Sequence, residues 1–114
     1  MEIAQHIVGD VTVVSLQGRF DAASAPEAEG VFKKLAQDGV ARVVVDLSGV
    51  EYISSGGLRV VIMLSKSLEK GNGQMALCGL NPFVSEVFEI TNLSRRYRIF
   101  PSCDEAIEAL RAGA

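Results

Sequence analysis

The feature that most constrains the fold is a hydrophobic pattern that changes repeatedly between two spacings along the chain. Short runs rich in β-branched residues alternate with segments in which apolar residues recur every three or four positions. The first pattern is typical of strands and the second of helices with one buried face. We predict the order β-β-α-β-α-β-α-β-α over residues 1–114, in one α/β domain. Its sheet should be mixed but mostly parallel, with about five strands and flanking helices.

The chain opens on a predicted β-hairpin. Apolar runs over residues 3–8 and 11–16 are separated by Gly9 and Asp10, a pair typical of tight turns between antiparallel strands. This antiparallel pair precedes the alternating part of the chain, and it is the reason we expect a mixed sheet.

A loop and a helix are predicted next. The small, polar segment over residues 18–25 predicts the loop. Ser24 and Glu27 form a capping-box pattern around Pro26, which predicts a helix start at this point. Gly39 is a natural terminator of that helix.

The rest of the chain predicts three further strands and three further helices. The predicted strands span residues 40–47, 74–78 and 97–100, and two of the predicted helices span residues 55–71 and 82–90. Ser102 and Glu105 form a second capping-box pattern, which predicts the start of the final helix. Residues 48–54 predict a loop. On the helix over residues 82–90, Phe83, Val87 and Ile90 share one face.

Composition and charge exclude several classes of protein. The chain is 48% apolar and 22% charged, which is ordinary for a globular domain and unlike a disordered chain. Its net charge of −3 argues against a protein that holds nucleic acid directly. The chain has no apolar run of about 20 residues and no leader-like N-terminus. We therefore expect no membrane insertion and a cytoplasmic location.

Neither a metal site nor an active site is predicted from the residues. Cys78 and Cys103 lie 25 positions apart, a spacing that matches no metal or redox motif, so we expect reduced thiols. His6 is the only histidine. The sequence offers no convergent acid, base and nucleophile, so we expect a protein that is not an enzyme and needs no cofactor.

The most informative segment is the predicted start of the second helix, where residues 54–58 read Ser-Ser-Gly-Gly-Leu. The simplest interpretation is an N-cap serine followed by glycines that permit close packing. The same residues place hydroxyls and unhindered amides at a helix N-terminus, which favours an anion. The segment lacks the lysine and the glycine spacing of a P-loop.

The helical wheel of this segment predicts a second feature. The core face should contain Leu58, Val61, Ile62, Ser65 and Leu68. Val60 and Met63 fall on the opposite face with Arg59, where they would meet water. Isolated apolar residues on a surface are normal. Next to Ser55, however, they would form a docking face that a change of charge could switch, and a flexible methionine suits such a surface.

Three short motifs lie in and before this segment, and a fourth lies earlier in the chain. Residues 46–50 read Asp-Leu-Ser-Gly-Val, residues 52–53 read Tyr-Ile, and residues 54–58 read Ser-Ser-Gly-Gly-Leu. Residues 18–22 read Gly-Arg-Phe-Asp-Ala. Together they resemble the STAS domain family, the bacterial anti-sigma factor antagonists. Residues 54–58 are similar to the family's Asp-Ser-Ser/Thr-Gly-Leu, and residues 18–22 are similar to the loop that follows its second strand. The predicted element order also matches the family over nearly the whole chain.

The resemblance implies a phosphorylation switch at Ser55. An anti-sigma factor that is also a serine kinase would bind the unmodified chain, which frees the sigma factor. Phosphate transfer to Ser55 would release that partner, and a metal-dependent serine phosphatase would reset the switch. The residues that we expect at the partner interface are Asp21, Ser54, Gly56, Gly57, Arg59, Val60 and Met63.

Two positions depart from the family pattern. Ser54 replaces the usual aspartate and Gly56 replaces the usual serine or threonine. Ser54 is therefore an alternative phosphate acceptor. The same departures support a second hypothesis, in which the chain is an unphosphorylated STAS adaptor subunit of a lipid-transport or stress-sensing complex. Asp21 also has two interpretations: a loop aspartate bonded to its own backbone, or a side chain beside Ser55 near the partner.

Overall fold

The computed structural model describes residues 1–112, so the last two residues of the predicted domain lie outside it. The strands are β1 (Glu2–Val8), β2 (Val11–Phe20), β3 (Arg42–Ile53), β4 (Gln74–Cys78) and β5 (Arg98–Phe100). The helices are α1 (Ala25–Gln37), α2 (Ser55–Lys70), α3 (Pro82–Ile90) and α4 (Cys103–Ala112), with a 3₁₀ turn at Leu93–Arg95.

The five strands form one mixed sheet in chain order, β1-β2-β3-β4-β5. β1 pairs antiparallel with β2, and every later pair is parallel. The predicted hairpin is present, with Val8 opposite Val11 and Gly9 at a φ of +63° in the turn. The predicted α/β class, element order and mixed sheet are therefore confirmed.

The helices cover both faces of the sheet. One face packs against α1, α2 and α3 in the larger core, which includes Phe20, Phe32 and Phe88. The other face packs against α4 through Val13, Val44 and other small residues. Burial on both faces explains why the central strands read as continuous apolar runs rather than alternating ones. Among the helices described, none has both the length and the hydropathy needed to cross a bilayer.

Strands β2 and β3 are longer than predicted. The loop predicted over residues 48–54 is almost entirely an extension of β3, which remains paired as far as Ile53. Of the loop predicted over residues 18–25, residues 18–20 belong to β2 and residues 21–24 form the loop. The pairing shifts register twice, after Ser15 and again after Gly18. Those irregularities interrupt the apolar pattern, which is why small and polar residues in the segment resembled loops.

The two predicted capping boxes have different outcomes. At α4 the Ser102 hydroxyl accepts from the Glu105 N–H at 3.2 Å and donates to the Glu105 carboxylate at 2.9 Å, as predicted. At α1 the Ser24 hydroxyl donates instead to the Arg19 carbonyl at 2.7 Å and makes no capping bond within the described chain. The predicted helix start is confirmed, with Ser24 at the N-cap position, but the predicted capping bond was wrong because this hydroxyl ties the helix start to β2.

Helix α3 does not bury the face formed by Phe83, Val87 and Ile90; it buries a different one. Val84 and Phe88 are its fully buried residues, whereas Phe83 and Ile90 are 46% and 73% exposed. Asn81 fixes this orientation because its side chain accepts from the Val84 N–H at 2.8 Å and donates to the carbonyl of Val50 in β3 at 3.2 Å.

Candidate functional site at the start of α2

Ser55 is the first residue of α2 and is exposed. Ser54 occupies the N-cap position in an extended conformation, and its N–H donates to the Phe20 carbonyl at 3.0 Å. In the part of the chain that is described, the Ser54 hydroxyl makes no capping bond. Residues 55–58 of the first turn include no acidic side chain. The helix N-terminus is therefore open to an anion, because no side-chain oxygen from Ser54 and no local carboxylate occupies it.

The two glycines of the motif set how closely α2 approaches the sheet. A β-carbon at Gly56 would lie 2.9 Å from the Ala22 Cα, and one at Gly57 would lie 2.5 Å from the Phe20 carbonyl oxygen. Gly57 is buried and Gly56 is half-buried. The packing interpretation accounts for both glycines, and the contacts of Gly57 are with the protein's own strands.

Asp21 lies in the loop that packs against Gly56, so the structure brings this loop to the start of α2. Its carboxylate accepts from the Ala23 N–H at 3.1 Å and the Ser24 N–H at 3.2 Å, and it pairs with Arg19 at 3.7 Å. The Ser24 N–H is the main reason that the pKa of Asp21 lies below its ordinary value of 3.8. The carboxylate thus shapes its own loop, and a further contact with a partner stays a prediction.

The lowered pKa of Asp21 predicts a pH dependence of stability. The ionised carboxylate is favoured by the folded state, so its contribution is complete above the unfolded-state pKa and is lost as the pH falls through the folded-state pKa. We expect Asp21→Asn to lower the melting temperature at neutral pH, since the amide keeps an oxygen but loses the charge. The difference between the two proteins should shrink as the pH is lowered from about 6 to below about 3. A constant difference across that range would show that the charge plays no part.

The predicted docking face of α2 needs one correction. Val60 is 3% exposed and belongs to the larger core, so the prediction that it faces water was wrong. Leu64, which was not assigned to the core face, is buried as well. Helix α1 packs against α2, and a helical wheel drawn from one segment alone takes no account of such a neighbour. Arg59 is exposed and Met63 is half-buried.

A shallow apolar groove adjoins Ser55. It encloses about 400 Å³ and lies between α2 and the segment that follows α3. Its lining consists of Ser55, Leu58, Arg59, Ile62, Thr91 and Leu93. The sequence did not reveal this groove because Thr91 and Leu93 lie more than 20 positions beyond the end of α2. We call it the α2 groove.

A second surface feature connects Asp21 to α3. The Arg19 guanidinium lies 4.2 Å from the centre of the Tyr52 ring, and Tyr52 stacks on Phe83 with ring centres 5.5 Å apart. Arg19 and Tyr52 are direct partners in the β2–β3 ladder. We call Arg19, Tyr52 and Phe83 the aromatic ridge. Arginine and aromatic side chains are common at the energetic centres of protein interfaces. The sequence pattern gives no sign of this ridge, because it predicts a loop at Tyr52.

The fold and these motifs agree with a match to a known family. Residues 2–106 match the sequence profile of the STAS domain. The chain belongs to the STAS domain family. The resemblance carried by residues 18–22 and 46–58 is therefore confirmed.

Several proteins similar to this chain are named as anti-sigma factor antagonists. The chain is 34% identical over 111 residues to BtrV, a candidate anti-sigma factor antagonist of Bordetella bronchiseptica. The alignment covers 97% of this chain and 96% of BtrV. Two crystal structures superimpose closely. A candidate anti-sigma factor antagonist of Thermotoga maritima has a TM-score of 0.91 and 30% identity, covering 96% of this chain and 94% of that one. An anti-sigma factor antagonist of Mycobacterium paratuberculosis has a TM-score of 0.89 and 27% identity, and the superposition covers 96% of this chain and 93% of that one.

Proposed function

We propose that this STAS domain is an anti-sigma factor antagonist that is switched by phosphorylation of Ser55. In the unmodified state it binds an anti-sigma factor that is also a serine kinase, so that the sigma factor is released. A serine phosphatase reverses the modification. The domain acts as ligand and as kinase substrate, and it catalyses no reaction itself. The names of its relatives support the choice of an anti-sigma factor as the partner.

The observation behind this proposal is the position of Ser55. Its side chain is exposed, it begins α2, and it lines the α2 groove together with Arg59. A kinase can reach this hydroxyl without unfolding the domain. A partner seated in the groove would contact Ser55 directly, so modification and binding compete for one surface. Met63, Asp21 and the aromatic ridge are further candidates for the interface.

The charge of a phosphate explains how such a switch would work. Phosphorylation adds about −1.5 to −2 charges at neutral pH. At the N-terminus of α2 the free amides and the helix dipole favour an anion, so the fold should gain a few tenths to about 1 kcal/mol. Arg59, four residues along the helix, is placed to pair with it. Against a partner in the apolar groove, the same dianion must lose its hydration. We therefore expect release without refolding.

Two measurements test the proposal. Intact-mass analysis of the protein from its native cells, with fragmentation, should reveal a fraction one phosphate heavier and modified at Ser55. Anti-sigma factor kinases from the same genome are then titrated against variants by calorimetry. Ser55→Ala should bind as tightly as the wild type, and Ser55→Glu should bind at least about tenfold more weakly, a difference of about 1.4 kcal/mol.

Ser67→Glu is the matched control, because it adds the same charge to α2 about 18 Å further along the helix. It should bind like the wild type. Equal binding by Ser55→Glu and the wild type would contradict the proposal. Phosphate mapped to Ser54 would move the switch by one residue. The absence of any phosphorylated fraction, together with a permanent partner, would favour the adaptor role.

A further inference from the structure

Three side chains with metal-binding chemistry meet on the face of the sheet opposite α2. Asp46 lies in β3, Cys78 ends β4, and Cys103 is the first residue of α4. A carboxylate oxygen and the two Sγ atoms all lie within 4.8 Å of one another. Asp46 and Cys78 are direct neighbours in the parallel ladder, and α4 returns across the sheet to bring Cys103 beside them. A separation of 25 positions in sequence gave no hint of this contact.

The separation between Cys78 and Asp46 fits a tetrahedral ion, and both lie within 4.8 Å of the Cys103 Sγ. The Cys78 Sγ lies 3.8 Å from the Asp46 Oδ1. An ion with bonds of about 2.3 Å to sulfur and about 2.1 Å to oxygen holds two such ligands about 3.6 Å apart, and it holds two thiolates about 3.8 Å apart. The cluster therefore needs only small side-chain movements to surround one ion.

The carboxylate is held in position by neighbours that are not themselves ligands. The Ser15 hydroxyl donates to Asp46 Oδ2 at 3.2 Å, and the Ser48 N–H donates to Oδ1 at 3.0 Å. Outer contacts of this kind orient metal-binding carboxylates. Among the ion pairs of residues 1–112, none involves Asp46. The carboxylate is therefore not committed to a cationic side chain and is available to bind an ion.

One side of the cluster is open to water. Asp46, Ser15 and Ser48 also line a hollow of about 730 Å³ on the part of the sheet beside β1. The hollow gives an ion a route to the cluster and leaves space for a water molecule as its fourth ligand. Two sulfurs and one carboxylate oxygen favour zinc over magnesium or calcium, which prefer sites made of oxygen alone.

We propose that Asp46, Cys78 and Cys103 bind one zinc ion, with water as the fourth ligand. Binding replaces two S–H bonds by two Zn–S bonds and releases both protons to solvent. The ion would join β3, β4 and α4 on the face away from Ser55. The site is independent of the proposed phosphorylation switch.

Cobalt(II) is the probe for the first test, since it adopts zinc geometry and absorbs light. The full chain, reduced and stripped with a chelator, is titrated with Co²⁺. We expect one ion per chain, with the charge-transfer absorption of cobalt bound to thiolate, and its loss when Zn²⁺ is added. Cys103→Ala should weaken binding at least about 100-fold and Asp46→Asn at least about tenfold. No thiolate band, or full affinity in Cys103→Ala, would overturn the proposal.

Asp104→Asn is the matched control for Asp46→Asn, because Asp104 is an exposed acid next to Cys103 and outside the cluster. It should bind Co²⁺ as the wild type does, and a loss equal to that of Asp46→Asn would contradict the assignment. Thermal unfolding supplies a second readout that also verifies folding. Free Zn²⁺ at 100 times the dissociation constant should raise the melting temperature of the wild type by roughly 10 °C. The melting temperature of Cys103→Ala should not change.

Discussion

Gly57→Ala is expected to lower the free energy of unfolding by about 3 kcal/mol, at the upper end of typical overpacking costs. The added β-carbon would lie 2.5 Å from the Phe20 carbonyl oxygen and 2.9 Å from both the Phe20 Cγ and the Ile53 Cγ1. The oxygen belongs to the backbone of β2 and cannot rotate away. Either α2 or the end of β2 must shift, so the start of α2 and Ser55 would move as well. Urea unfolding followed by circular dichroism measures the loss.

Gly30→Ala is the control for that measurement. Gly30 lies inside α1, and an added β-carbon would have no atom within 4 Å. We expect this variant to gain about 0.5–1 kcal/mol, the usual advantage of alanine over glycine within a helix. The two substitutions are chemically identical and should have opposite signs. Similar effects at both positions would mean that the contact between α2 and Phe20 is looser than described.

Val60→Asp is expected to have the largest effect, a loss of more than about 4 kcal/mol. Val60 is 3% exposed and lies in the core that α2 shares with its neighbours. A carboxylate at this position would be buried without a partner, and proteins of this size are stable by only about 5–15 kcal/mol. We expect much of the variant to be unfolded or aggregated at 37 °C. Near-ultraviolet circular dichroism and size-exclusion chromatography report this directly.

Lys66→Asp is the matched control on the same helix. Lys66 is exposed, so the new carboxylate stays in water, and the cost should not exceed about 1 kcal/mol. A Val60→Asp protein as stable as Lys66→Asp would restore the interpretation of Val60 as part of a surface. The pair therefore tests whether Val60 is buried, as in the structure, or faces water, as the helical wheel predicts.

The predictions succeeded where local pattern and tertiary structure agree. The hairpin at Gly9, the bounds of α2 from Ser55, and the cap at Ser102 each depend on residues close together in the chain. They failed where distant segments compete for the same group. The Ser24 hydroxyl bonds to β2 rather than to its own helix, and Val60 is covered. The ends of β2 and β3 looked like loops because their pairing shifts register twice.

By itself the sequence determined the class, the element order and the family, because hydrophobic period, turn residues and short motifs are local properties of the chain. It also placed Ser55 at an exposed helix start, since a helix N-terminus is set by the residues around it. Only the tertiary structure decided which residues surround that start. The α2 groove, the aromatic ridge and the cluster of Asp46, Cys78 and Cys103 each join segments far apart in the chain. The physical reason is that packing and pairing between strands bring together side chains whose separation along the chain carries no periodic signal.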